Sequence, residues 1–250
     1  MLKHGCFLFT ILLVLSSCDV LNKAASDAAN NFMNEGSSDA QPPSLTNSEV
    51  ISGLREALNV GIENSVSITS VTDGFLSNND IRLPFPPDAL KVKEKALDLG
   101  LGDQVKKFET TLNRAAEEAC KEALPIFKKA IIDMSLSDGF AILNGGNGAA
   151  TKYLKEQTTE SLTSAFSPKV KAAISKVKLT DYWTPLINKY NTAMILTGGE
   201  KINPDLDVFV TQKAIEGLFF MVEAEENKIR LDPLARVTDL LSKVFGSLTN

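Results

Sequence analysis

Along most of the chain, apolar side chains recur at three- and four-residue steps, the period of an α-helix with one face turned inwards. Thr46-Asn47-Ser48-Glu49 has the form of a capping box, in which the Thr and Glu side chains satisfy each other's backbone amides. Behind it Val50, Leu54, Ala57, Leu58, Gly61, Ile62, Ser65 and Val66 predict an amphipathic helix. Thr72 to Pro87 is rich in Gly, Asn and Pro, and its segment Ile81 to Pro86 must be extended, at most a short edge strand. From Asp88 onward the spacing is helical throughout. A helix is predicted over Leu90–Leu99, stopped at Gly100, and another capped by Asp103, with Val105, Phe108, Leu112, Ala115, Ala116 and Ala119 on one face. Pro125 should kink or break that run before Ile126–Met134. Ser135 caps a helix to Leu143, closed by Asn144-Gly145-Gly146. A further helix is expected over Gly148–Ala165, and Ser167-Pro168 should open the next. Another starts at Thr180 or Asp181 and ends at the turn Thr197-Gly198-Gly199. Asn203-Pro204 opens the longest, to about Arg230, and Asp232-Pro233 opens the last, to Phe245. The expected fold class is all-α: one bundle-like domain of about eight helices over residues 46–250.

The front of the chain follows another rule. Lys3 precedes the run Phe7-Leu8-Phe9-Thr10-Ile11-Leu12-Leu13-Val14-Leu15. About ten apolar residues are too few to cross a bilayer, which takes about twenty, so the run reads as a secretory signal. Its exit, Leu15-Ser16-Ser17-Cys18, resembles the bacterial lipobox, where lipid is attached to the cysteine thiol and the peptide is cut just before it. The expected division is a signal peptide at 1–17, a lipidated Cys18 with a tether to residue 45, and the helical domain. Glu35 to Pro43 has a linker composition.

Composition then narrows the chemistry. The 250 residues are 44% hydrophobic and 23% charged, which suits a folded domain and excludes both a disordered chain and a polytopic membrane protein. A formal charge of −5 argues against nucleic acid, which needs a clustered positive field. Cleavage before Cys18 removes Lys3 and no acid, moving that charge to −6, and it also removes His4, the chain's single histidine. A His-free mature chain has no Ser-His-Asp or Cys-His arrangement and no imidazole ligand for zinc or iron. Of the three cysteines only Cys120 then stays free, and its alanine-rich helical setting suits a small buried hydrophobe rather than a nucleophile.

The other candidates are weak. Asn144-Gly145-Gly146-Asn147-Gly148 looks like a phosphate cradle, yet it follows a helix and no Gly-Lys-Ser/Thr closes it. Asp73 to Asp80 offers oxygens for calcium but lacks the downstream bidentate Glu. Glu117-Glu118 and Glu225-Glu226 evoke carboxylate-bridged metal bundles, whose Glu-x-x-His pairs cannot form here. No cofactor is expected. Leu218-Phe219-Phe220-Met221-Val222 is apolar right round the helix, either a core helix or the wall of a lipid cavity.

One carboxylate breaks a pattern. Val210, Ala214, Gly217, Leu218 and Met221 form a face whose continuation reaches Glu225 and then Ile229. If that face is buried, Glu225 needs a cationic or hydrogen-bonding partner, for which Arg114 and Arg236 are the candidates; if the helix end protrudes, Glu225 is solvated.

The second half of the chain carries a motif set in order. It comprises Asn113-Arg114-Ala115-Ala116-Glu117, Pro125-Ile126-Phe127, Ala149-Ala150-Thr151-Lys152-Tyr153, Asn203-Pro204-Asp205-Leu206 and Val210-Thr211. Then follow Glu216-Gly217-Leu218-Phe219, Glu225-Glu226-Asn227-Lys228-Ile229-Arg230 and Asp232-Pro233-Leu234-Ala235-Arg236-Val237-Thr238-Asp239-Leu240-Leu241. From about Val50 to Gly246 the chain resembles a bacterial envelope lipoprotein family known as domain of unknown function 4197. The resemblance implies an all-helical exported domain with no assigned activity, cofactor or catalytic residue. The expectation is a non-catalytic protein, anchored through lipid on Cys18 to a bacterial membrane facing the periplasm or cell surface, that binds an envelope protein or component. The rival is a carrier of an acyl chain or other apolar ligand in a cavity lined from Phe219-Phe220-Met221; a His-free carboxylate hydrolase is a third reading.

Overall fold

Thr46 and Glu49 open the domain as their spacing predicts. In the computed structural model, which describes residues 46–98, 100–175, 180–199, 201, 205–236 and 238–246, Glu49 N–H donates to Thr46 Oγ1 at 3.2 Å and Thr46 N–H to Glu49 Oε2 at 2.8 Å. Residues 1–45, and with them Cys18, lie outside the described residues. Helix α1, Asn47–Thr69, follows and buries Ile51, Leu54, Leu58, Ile62 and Val66. After a loop and one 3-10 turn, Pro87–Ala89, come α2 (Leu90–Asp98), α3 (Gly102–Cys120), α4 (Ala123–Asp133) and α5 (Leu136–Asn144). The chain continues as α6 (Ala149–Ser175), α7 (Thr180–Thr197) and α8 (Leu206–Leu231), then a 3-10 turn at Pro233–Ala235 and α9 (Asp239–Gly246). The described residues hold nine α-helices and no strand, so the domain is all-α.

The centre is α8, which packs against α6, α1 and α3, while α3 also packs on α6. Helix α4 bridges α1 and α6, and α9 lies along α1. Phe127 of α4 meets Phe219 of α8 edge-on, ring centres 5.6 Å apart, both fully buried at the middle of the core. Trp183 fastens α7 by stacking on Phe108 of α3 at 5.0 Å and meeting Phe85 of the loop edge-on at 5.9 Å.

Four boundaries differ from expectation. Helix α3 begins at Gly102, so Asp103 sits in its first turn rather than capping it. The break near Pro125 falls earlier, at Lys121-Glu122; Pro125 occupies the first turn of α4, where its missing N–H has no helical partner to lose. Ser167-Pro168 opens no helix, since α6 runs through Pro168. Its buried stripe, Leu154, Thr158, Leu162, Phe166, Val170 and Ile174, continues unbroken on both sides, and that burial outweighs the one lost hydrogen bond. Asp232-Pro233 opens only a 3-10 turn, and the last helix waits until Asp239. Asn203 and Pro204 lie outside the described residues; α8 is capped by Asp205, which accepts from Asp207 N–H at 2.9 Å.

The segment Ile81–Pro86 is not a strand: Ile81 still belongs to the preceding turn, its N–H donating to the Asn78 carbonyl at 3.3 Å, and Phe85 lies at a bend. Asn113 of α3 brackets it: Leu83 N–H donates to Asn113 Oδ1 at 2.8 Å, and Asn113 Nδ2 donates to the Leu83 carbonyl at 3.1 Å. One side chain thus makes the two hydrogen bonds that a neighbouring strand would supply.

Candidate functional site

Two buried carboxylates organise the polar interior. One turn beyond Asn113, Glu117 reaches the same loop: its Oε1 accepts the N–H groups of Phe75 and Leu76 at 3.1 and 3.2 Å. Its Oε2 accepts from Arg114 Nη1 at 2.6 Å, and the other arm of that guanidinium donates to Asp73 Oδ1 at 2.8 Å. The Glu117 carboxylate raises the Arg114 pKa further above its usual value, with Asp73 adding to it. Asp73 takes a left-handed conformation, φ 69°, at the tip of the loop. The acidic loop read as a weak calcium candidate therefore has its first carboxylate paired with a guanidinium.

The second carboxylate is Glu226 of α8. Its Oε1 accepts from Ala150 N–H at 3.0 Å and Arg230 Nε at 2.9 Å; its Oε2 accepts Thr151 N–H and Oγ1, both at 2.8 Å. Arg230 in turn donates from Nη2 to the Ile142 carbonyl at 2.8 Å. The pair, with 7% and 9% of its side chains exposed, lies between the end of α5 and the start of α6. Ala150 and Thr151 belong to the first turn of α6, whose N–H groups have no helical acceptor, and Ile142 to the last turn of α5, where its carbonyl also accepts the Gly145 N–H at 3.3 Å. The carboxylate meets the positive end of one helix dipole and the guanidinium the negative end of the other. The glycine-rich turn that joins them is made by Gly146 and Gly148, both at φ +74°. Glu226 has already filled the anion position at the head of α6, so this loop cradles a side chain of its own protein.

The cluster expected of Glu225, Arg114 and Arg236 does not form. Glu225 stands one residue, about 100° of helix, away from the buried line. With 12% of its side chain exposed, it accepts from Asn64 Nδ2 at 2.8 Å and lies 3.5 Å from Lys228 Nζ. Arg114 serves Glu117 and Asp73, whereas Arg236 donates to the carbonyls of Ile229 and Arg230 at 3.1 and 2.9 Å, closing the end of α8. Glu225 is thus half-buried with polar partners, and the stripe that carries the buried charge runs Ile215, Leu218, Val222, Glu226, Ile229.

Cys120 is fully buried, and desolvation pushes its thiol up to about 12. The apolar run Leu218–Val222 divides: Phe219 is core, Phe220 is 49% exposed, and Met221 is half-buried with its sulfur accepting from Asn78 Nδ2 at 3.8 Å. A void of about 20 Å³ between α1, α6, α8 and α9 is lined by Leu54, Gly61, Leu154, Val222, Glu226 and Ile229, with room for about one water. Wider grooves lie at the surface: one of about 400 Å³ at the α5–α6 turn beside Asp138, Lys152 and Glu156, and one of about 200 Å³ beside Glu225, Lys228 and Asp232.

No curated protein and no solved structure matches the chain. A protein family does: the one described as "Protein of unknown function (DUF4197)", whose profile matches residues 44–246. That span takes in every described helix, the Asn113–Glu117 bracket and the Glu226–Arg230 pair, and the chain belongs to this family.

Proposed function

We propose that the protein is a non-catalytic module of the bacterial cell envelope, held to the membrane by lipid on Cys18 and acting by binding an envelope protein or component. The observation that carries the first half of this reading is how the buried acids are used. All four acceptor positions on the two Glu226 oxygens that the helix ends and Arg230 can reach are filled, and Glu117 is spent on two loop amides and Arg114. A general acid or nucleophile must be able to exchange these donors for a substrate. The anchoring half rests on Leu15-Ser16-Ser17-Cys18. Against a carrier speaks the apolar pocket among α1, α6, α8 and α9, which offers about 20 Å³ where ligand cavities run to about 300 Å³ and more; the groove of about 400 Å³ at the α5–α6 turn is open and partly polar.

Native mass spectrometry of protein extracted from its own host tests the reading. The expected species starts at Cys18, carries acyl mass and holds a stoichiometric protein partner. An unmodified chain still beginning at Met1 would refute the anchor, and a tightly held apolar small molecule would return the carrier. In cells, Cys18→Ser should leave an unprocessed or freely soluble protein.

A further inference from the structure

Helix α8 is covered by α6, α1 and α3 on its inner side, and its outward side carries a second row of residues. Phe220, Ala224, Asn227 and Leu231 follow one another at four- and three-residue steps, which stacks them in one line along the helix. Phe220 is 49% and Leu231 70% exposed, Ala224 is exposed too, and Leu234, 91% exposed, follows in the 3-10 turn. In the middle of this line sits an amide with unused capacity. Asn227 Oδ1 is buried and, among the described residues, meets no donor. A buried acceptor without a donor is costly, and native folds keep few of them. Charges flank the line. Glu223, directly before Ala224, stands on one edge, and Lys228, directly after Asn227, on the other, both exposed. The contact of Lys228 with Glu225, at 3.5 Å, is loose and leaves its ammonium group open to a better partner.

We infer that this face pairs with the same face of a second copy of the chain, α8 lying parallel to α8 about a two-fold axis. Alternating four- and three-residue steps are the seam spacing of two-stranded coiled coils. In a parallel, in-register pair, the residue before a seam position faces the residue five places further along the other helix. That sets Glu223 of each copy against Lys228 of the other, twice by symmetry. An antiparallel pair would instead set Glu223 against Glu223 and Lys228 against Lys228, so the charges select the parallel arrangement. The axis then passes between the two Asn227 side chains. There the Nδ2 of one donates to the Oδ1 of the other, which gives the orphaned oxygen its bond and penalises any slip of register. Apolar residues are exposed elsewhere on the domain; here the order of the charges and the unmet amide name a second copy as the occupant. A seam this short supports reversible association in the micromolar range. The pairing goes beyond the function proposed above, since it needs neither the anchor nor an envelope partner.

The test is sedimentation of the full-length chain in detergent up to about 100 μM, where micromolar association is complete, joined to disulfide trapping. The expected result is a monomer–dimer equilibrium. Glu223→Lys and Lys228→Glu, both at exposed positions, should each weaken it about tenfold, and the double variant should restore it. Oxidised Ala224→Cys should give a disulfide-linked dimer, because equal positions meet on the axis of a parallel pair. Val71→Cys, exposed but just past the end of α1, should not, and Cys120 is buried and does not compete. A chain that stays monomeric throughout would overturn the pairing. A dimer indifferent to both charge variants would place the contact on another face and overturn it equally. A double variant no better than the singles, or a dimer that Ala224→Cys fails to trap, would overturn the parallel register.

Discussion

Glu225 and Glu226 are chemically identical neighbours with different duties. One step round the helix puts the first beside Asn64 and Lys228 at the surface and the second between two helix ends. Glu226→Ala strands the buried Arg230 and leaves two α6 amides without their acceptor, so it should cost about 3–5 kcal/mol. Glu225→Ala removes the Asn64 hydrogen bond and the weak pair with Lys228 from a side chain 12% exposed, without stranding a buried charge, and should cost about 1–2 kcal/mol. Urea denaturation of the two variants checks this, and equal losses would mean that the two carboxylates share one environment. The sequence shows that a charge must interrupt the apolar face of this helix, but not which one. Val210, Thr211, Ala214, Ile215, Gly217, Leu218 and Phe219 are all buried, so the first half of α8 has no wide polar face to set the register. The i, i+4 spacing of Glu226 and Arg230 was the available signal; their partners, Thr151 and Ile142, are set by folding alone. A second residue-scale outcome concerns Cys120. A thiol raised to about 12 holds almost no thiolate at pH 8, so a thiol reagent should leave the native protein unmodified and react promptly in denaturant. Fast native labelling of Cys120 would contradict its burial.

At the scale of elements, α3 works as a bracket for the loop that follows α1. Asn113 and Glu117, one turn apart on one face, hold Leu83 and the Phe75-Leu76 amides, and this makes a Pro- and Asn-containing loop a fixed part of the wall. Asn113→Ala removes both bonds to Leu83 while leaving a good helix former in α3. Local opening should become about 1–3 kcal/mol easier. Trypsin should then cut after the exposed Arg82 about five- to a hundredfold faster, with the far-UV helical signal unchanged. An unaltered cleavage rate would show that packing of Leu83 and Phe85, rather than Asn113, holds the loop. Helices were legible wherever a cap and an apolar stripe agreed, as at Thr46–Glu49 and Ser135–Asp138. Where the two conflict, the sequence alone does not decide. Pro168 says stop, but the stripe from Leu154 to Ile174 says continue, and only the partners across the interface, α3 and α8, decide the matter.

For the whole molecule, the two ends of the domain meet. Helix α9 lies along the start of α1 so closely that a Cβ on Gly53 would come within 2.7 Å of Val244 Cγ2. Gly53→Val should therefore force the two helices apart at a cost of about 1–3 kcal/mol. Because that contact joins positions about 190 residues apart, forming it sacrifices chain entropy of about 5 kcal/mol beyond a constant. Its energy should appear in the unfolding rate rather than the folding rate, a φ-value near zero in stopped-flow measurements. A variant that folds more slowly and unfolds normally would place this contact in the nucleus instead. The same closure governs the order of events as the chain is made. Of the described helices α1 leaves the ribosome first, yet it finds cover in α4, α5, α8 and α9, which come later. For most of the time that the domain takes to be made, α1 is an apolar surface waiting for its partners, and it is the segment of the domain that chaperones and mistaken neighbours meet first.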